Sequence, residues 1–76
     1  MTLMENVAAN VRAEIARQGH NATELALVLG ITKQAVSGKM NAKTAFNFNE
    51  IEKISHWLGI EPQVLMAPLP ERFEAA

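Results

Sequence analysis

Residues 22–41 read ATELALVLGITKQAVSGKMN, and this stretch decides the fold because it sets two short helices around one tight turn. Asn21 and Glu24 stand three residues apart. At that spacing an Asn side chain takes a backbone N–H of the first turn while the acid reaches back to the cap. A helix is predicted from there to Leu29. Gly30 supplies the residue type that enters the left-handed conformation without a Cβ penalty, and Thr32 stands ready to N-cap a further helix through about Met40. Ala26 is small where the two helices must approach closely. Val36 is placed as the buried anchor of the second, with Leu25, Leu29 and Ile31 completing a shared core.

Upstream, Met4, Val7, Ala8, Val11 and Ile15 recur in steps of three and four, which puts them on one face of a helix over 3–17. Thr2 is its expected N-cap, and Gln18-Gly19-His20 ends it. Downstream, 41–46 is a polar connection. Asn47 with Glu50 repeats the cap arrangement ahead of Phe48, Ile51, Ile54 and Leu58, which share helical spacing up to Gly59. Pro62 falls in the first turn of a short fifth helix over 62–66, where its missing N–H costs nothing. Ala67-Pro68-Leu69-Pro70 forbids continuation. The expected architecture is all-α, a five-helix domain over 1–66 followed by a tail over 67–76 that is extended or partly ordered.

Composition narrows the function classes. A chain of 76 residues is one domain that buries only about 60% of the surface its unfolded form exposes. It has no cysteine, so neither a disulfide framework nor a thiolate metal site is available. The start, Met1 to Met4, lacks the features of a secretory signal, and no apolar run is long enough to span a bilayer. A cytoplasmic location without membrane attachment is expected. His20 and His56 have no nucleophile or metal-ligand pattern beside them, and no glycine-rich phosphate loop is present. The chain is therefore read as no enzyme, with no cofactor and no metal.

The net charge is −1, but it is unevenly placed. Residues 1–43 carry Arg12, Arg17, Lys33, Lys39 and Lys43 against Glu5, Glu14 and Glu24, whereas residues 44–76 carry Lys53 and Arg72 against five glutamates. Nothing acidic lies between Lys33 and Lys43, so three lysines form a locally unopposed basic segment. That segment is either a solvated face or a modest field for a phosphate backbone.

With its bihelical signature, the segment 48–58 and the closing Leu58-Gly59-Ile60-Glu61-Pro62, the chain resembles the lambda-repressor and Cro-like (Xre-type) helix-turn-helix family from about Val7 to Met66. The resemblance implies a phage-type repressor, a sequence-specific regulator of transcription. It would bind double-stranded DNA at a palindromic operator and form a homodimer through its C-terminal region, with Val64, Leu65, Leu69 and Phe73 as the surface. It implies that 32–40 is the recognition helix, lying in the major groove with its N-terminal residues at base edges. Lys33, Gln34 and Ser37 are the expected base contacts, and Gly38 lets the DNA come close. Lys donates to guanine, Gln pairs bidentately with adenine, and Ser serves either base. Phosphate contacts are expected from the N-terminus of the second helix at Ala22 and Thr23, and from Thr32, Lys39, Asn41, Lys43 and Thr44. Asn47 competes as a helix cap.

Two positions depart from the family pattern. Ala22 stands where the family often has Gln, removing one phosphate-contacting side chain. Lys39 stands where an apolar residue is usual. Either its methylene stem covers the core while the ammonium reaches a phosphate, or Met40 fills the apolar role.

A protein-interaction module, such as an antitoxin or anti-repressor, is the alternative. Leu27 and Val28 make the second helix apolar beyond its core stripe, and Trp57, read first as core, could with Leu69 and Phe73 extend a patch. Charge reversal at Lys33 and Lys43 separates the two. It is expected to abolish salt-dependent duplex retention by a DNA reader and to leave the partner affinity of a protein binder unchanged, as read by filter retention and titration calorimetry.

Overall fold

A computed structural model describes residues 2–68 of the chain. Five helices form an all-α helix-turn-helix domain: α1 (Leu3–Arg17), α2 (Ala22–Leu29), α3 (Lys33–Met40), α4 (Phe48–Leu58) and α5 (Pro62–Met66). Each start has a local cause. Thr2, Asn21 and Asn47 close capping boxes with Glu5, Glu24 and Glu50, while Thr32 accepts the Ala35 N–H at 3.1 Å. Glu5 ionises below its ordinary range, chiefly because its carboxylate accepts the Thr2 backbone N–H. Its contribution to the α1 cap is therefore present at neutral pH and is lost as pH falls through that lowered value. Gly30 ends α2 with φ +68°, a left-handed geometry that redirects the chain into α3 within three residues.

The helices enclose one core. α2 packs on α3 and α4, α1 crosses α3, α4 and α5, and α5 closes against α1 and α4. Val11, Leu25, Val36, Ile54 and Leu65 are fully buried at its centre, with Val7, Ile15, Ala26, Leu29, Ile51 and Leu58 around them. Val36 is the buried anchor of α3, as its spacing predicts.

Two apolar expectations are corrected. Phe48 shares the spacing of Ile51, Ile54 and Leu58 but is 80% exposed, because Phe46 from the preceding connection is 8% exposed and fills the adjoining core position. Phe48, the first residue of α4, instead edges an apolar groove with Leu3, Met4, Phe46 and Met66. The family resemblance puts Leu65 on a self-association surface. It is 0% exposed within its own domain, whereas Val64 is 41% exposed. Leu69 and Phe73 lie outside the described residues.

Helix ends are satisfied from α1 and its C-cap. Asn10, buried, donates from Nδ2 to Leu65 O at 2.8 Å and Ala67 O at 2.7 Å. Gln18 donates to Leu58 O at 3.1 Å, and Arg12 to Met40 O at 3.1 Å. These carbonyls belong to the last turns of α5, α4 and α3 or just follow them, where no intrahelical donor exists. Among the described residues no helix is long and apolar enough to cross a membrane.

Asn10→Ala removes the donor shared by two carbonyls beneath α5. It is expected to cost about 2 kcal/mol and lower the thermal midpoint by about 10 °C. Calorimetry checks this, and an unchanged midpoint would show that α5 docks by apolar contact alone.

Candidate nucleic-acid interface

α3 turns one side inward and leaves a polar side free. Its Val36 is fully buried and Ala35 half-buried, while Thr32, Lys33, Gln34 and Ser37 are exposed and Gly38 is half-buried. Lys33, Gln34 and Ser37 therefore share a solvent-facing surface at the start of α3, one turn apart, with no acidic residue on that helix. A helix N-terminus free of acids favours anions through its unpaired N–H groups.

The N-terminus of α2 offers a second set of donors. Ala22 and Thr23 occupy its first two positions. No hydrogen bond among the described residues uses their N–H groups, whereas the Asn21 side chain accepts Glu24 N–H at 2.9 Å. Thr23 is exposed and Ala22 half-buried. The Glu24 carboxylate is turned back, with Oε1 on Asn21 N–H at 2.9 Å and Oε2 3.3 Å from His20 Nδ1. His20 in turn stacks on Trp57 with ring centroids 4.4 Å apart. Trp57 packs against the core, as does Val28. Neither joins an exposed apolar patch, so on α2 that patch is reduced to Leu27, 79% exposed.

The connection after α3 carries the third set. Asn41, Lys43 and Thr44 are all exposed. Asn41 Nδ2 donates to Ser37 O at 2.9 Å and lies 3.4 Å from Ser37 Oγ. A Cβ added at Gly38 would stand 3.8 Å from Thr44 Oγ1, so the connection folds back beside the middle of α3. Arg12 reaches the same end of α3 through Met40 O. Sequence reading passed over Arg12 because only the packing of α1 across α3 brings it there, and no local pattern carries that information.

The family resemblance places Lys39 at a phosphate. Its ammonium is instead engaged inside the domain, 2.8 Å from Glu50 Oε1 and 3.0 Å from Ala45 O, with the Phe46 ring centroid 5.9 Å away. Its side chain is only 16% exposed. The stem does cover the core, and partly buried Met40 packs there as well. The basic segment thus retains Lys33 and Lys43 without an acid partner among the described residues. The neutralising acid lies eleven residues beyond Lys39, outside any local count of charge.

Among the described residues no group of three His, Asp or Glu side chains is placed to hold a metal ion. Comparison with curated proteins gives no match. Among solved structures, the chain is similar to the crystal structure of hypothetical transcription factor NHTF from Neisseria. The two share 27% identity over 99% of this chain and 86% of that one, with a TM-score of 0.82. The chain thus shares its helix-turn-helix fold with a protein described as a hypothetical transcription factor. The family model described as the BetR domain matches residues 2–72, nearly the whole length, and the chain belongs to the BetR domain family.

Proposed function

We propose that this chain is a sequence-specific regulator of transcription that lays α3 in the major groove of double-stranded DNA. The observation that carries the proposal is the exposed, acid-free polar surface of Lys33, Gln34 and Ser37 on a helix whose opposite side is anchored by Val36. Lys33 and Gln34 have the donors and acceptors that distinguish guanine and adenine in that groove, and Ser37 serves either base. The free N–H groups of Ala22 and Thr23 flank one side as phosphate ligands, with Thr32 at the start of α3. Asn41, Lys43 and Thr44 flank the other. Lys39 is left out of the contact set because its ammonium is already engaged.

Gly38 adds independent support. It sits mid-helix, where glycine is less favourable than alanine by about 1 kcal/mol. Packing does not demand it, since the nearest atom to an added Cβ is Thr44 Oγ1 at the ordinary distance of 3.8 Å. A backbone kept bare on the reading side leaves room for the close approach of a nucleic acid.

One recognition helix reads only a few base pairs. The proposal therefore includes a homodimer on a palindromic operator, with equivalent helices about 34 Å apart, and the likeness to phage-type repressors favours repression. The Neisseria protein described as a hypothetical transcription factor supports the regulatory role. A protein-binding role in place of DNA reading would draw on exposed Leu27 and Phe48.

Selection from a random duplex pool at two salt concentrations tests the reading. Enrichment of a short palindromic motif whose affinity falls with salt is the expected outcome, and retention of no sequence at either salt refutes it. On the selected duplex, Gly38→Ala is expected to bind at least several-fold more weakly while raising stability by about 1 kcal/mol. A variant both more stable and equally tight would remove Gly38 from the interface.

A further inference from the structure

The C-terminal end of α3 carries a charge pair that spans two elements. Among the described residues, the backbone of α3 lies close to those of α1 and α2 but not to that of α4. Among the described residues, the hydrogen-bonded side-chain tie between α3 and α4 is Lys39 Nζ to Glu50 Oε1 at 2.8 Å. The same carboxylate oxygen accepts the Asn47 N–H at 2.9 Å, and the same ammonium donates to Ala45 O at 3.0 Å. Two atoms of one ion pair therefore hold the connecting segment at Ala45 and Asn47 as well as joining the helices.

That segment is not relaxed. Ala42 has φ +59°, the left-handed region that L side chains rarely adopt. It closes α3 through Ala42 N–H to Lys39 O at 3.1 Å and Lys43 N–H to Gly38 O at 2.9 Å. Such a conformation persists where its surroundings fix it, and it concentrates at functional sites. Both side chains of the pair are also largely buried, 16% exposed for Lys39 and 11% for Glu50. Desolvation offsets most of the attraction in such a pair, so it is a weak source of net stability and a better means of fixing geometry.

We propose that Lys39 and Glu50 are positioning residues for DNA reading. Their pair fixes the end of α3 and the segment 41–46 in the orientation that brings Asn41, Lys43 and Thr44 to the phosphate backbone. The inference rests on the DNA-reading proposal, but its structural half is testable on the free protein. A direct role for Lys39 on phosphate makes the opposite prediction for Glu50→Gln. Lys39→Met would then lower the salt slope by about one unit, and Glu50→Gln, which removes a negative charge near DNA, would tighten binding.

The test uses Lys39→Met, Glu50→Gln and the double variant. Gln still accepts the Asn47 N–H, so Glu50→Gln removes the charge and keeps the cap. The double variant leaves no unpaired buried charge and guards against a single variant that fails to fold. Amide hydrogen exchange is measured on the free proteins, and affinity for the wild-type-selected duplex is measured over a salt series. All three variants are expected to exchange faster through 42–47 while α1 and α2 keep their protection. They are expected to bind roughly tenfold more weakly, Glu50→Gln included, with a salt slope lowered by no more than the roughly one unit that loss of the Lys43 contact accounts for. A loss of slope in Lys39→Met with tighter binding by Glu50→Gln overturns the proposal, as does a double variant that matches the wild type in both measurements. If the wild type selects no duplex, DNA reading fails by itself. Exchange through 42–47 then still decides whether the pair sets the segment.

Discussion

The geometry of this domain depends on how α1 meets the ends of the other helices. A helix leaves its last carbonyls without intrahelical donors, and in a domain of this size several of those ends lie close to the core. Asn10 and Arg12 of α1, with Gln18 at its C-cap, donate to carbonyls at or just beyond the ends of α5, α3 and α4. At the end of α2 the single Gly30 N–H is directed to the Ala26 and Leu27 carbonyls. The apolar face of α1 buries Val7, Val11 and Ile15, while the polar residues flanking that face fix where three other helices stop. Burial supplies the driving force, and beneath α5 the Asn10 donor also fixes the register, because the buried Leu65 carbonyl would be left unpaired in a helix docked one turn out of place.

That arrangement explains what was legible in the sequence. Helix starts are local events. Thr2, Asn21, Thr32 and Asn47 each cap a helix from within four residues, and the five elements were readable with nearly correct limits. Val36, Leu25 and Ala26 were readable as core because two short helices around Gly30 can bury few other residues. Interactions that close over long separations were not readable. Arg12 at Met40, Asn10 beneath α5 and Glu50 on Lys39 join residues between eleven and fifty-seven positions apart. Phe46 and Phe48 show the same limit at short range. Helical spacing favoured Phe48, but the core position was filled by a side chain from the connection, which follows no period.

The Lys39 case shows why local charge counts misstate an interface. Three lysines between 33 and 43 give the impression of a continuous basic stripe. One of them faces inward and is neutralised by an acid on the next helix, so the outward field is weaker than its composition suggests. The same fact resolves the apparent misfit of a cation at an apolar position. The stem packs like an apolar residue, and the head group is satisfied by a carboxylate and a carbonyl instead of by water.

A weak outward field has consequences for how a reader of this kind must work. Affinity from counterion release scales with the number of phosphates neutralised by cations, and on the proposed surface Lys33 and Lys43 are the lysines without an acid partner. Most of the proposed phosphate ligands are uncharged: the α2 amides, Thr32, Asn41 and Thr44. Such donors release few counterions, but they fix register because each demands a defined distance and angle. A surface with this balance holds random DNA weakly and gains selectively where α3 meets its preferred bases. For such a surface, rigidity at both flanks of α3 matters more than added charge. The fixed turn at Gly30 and the ion pair at Lys39 occupy those two flanks. Two copies of the domain on a two-fold site would then multiply a modest but selective contact without enlarging the nonspecific field.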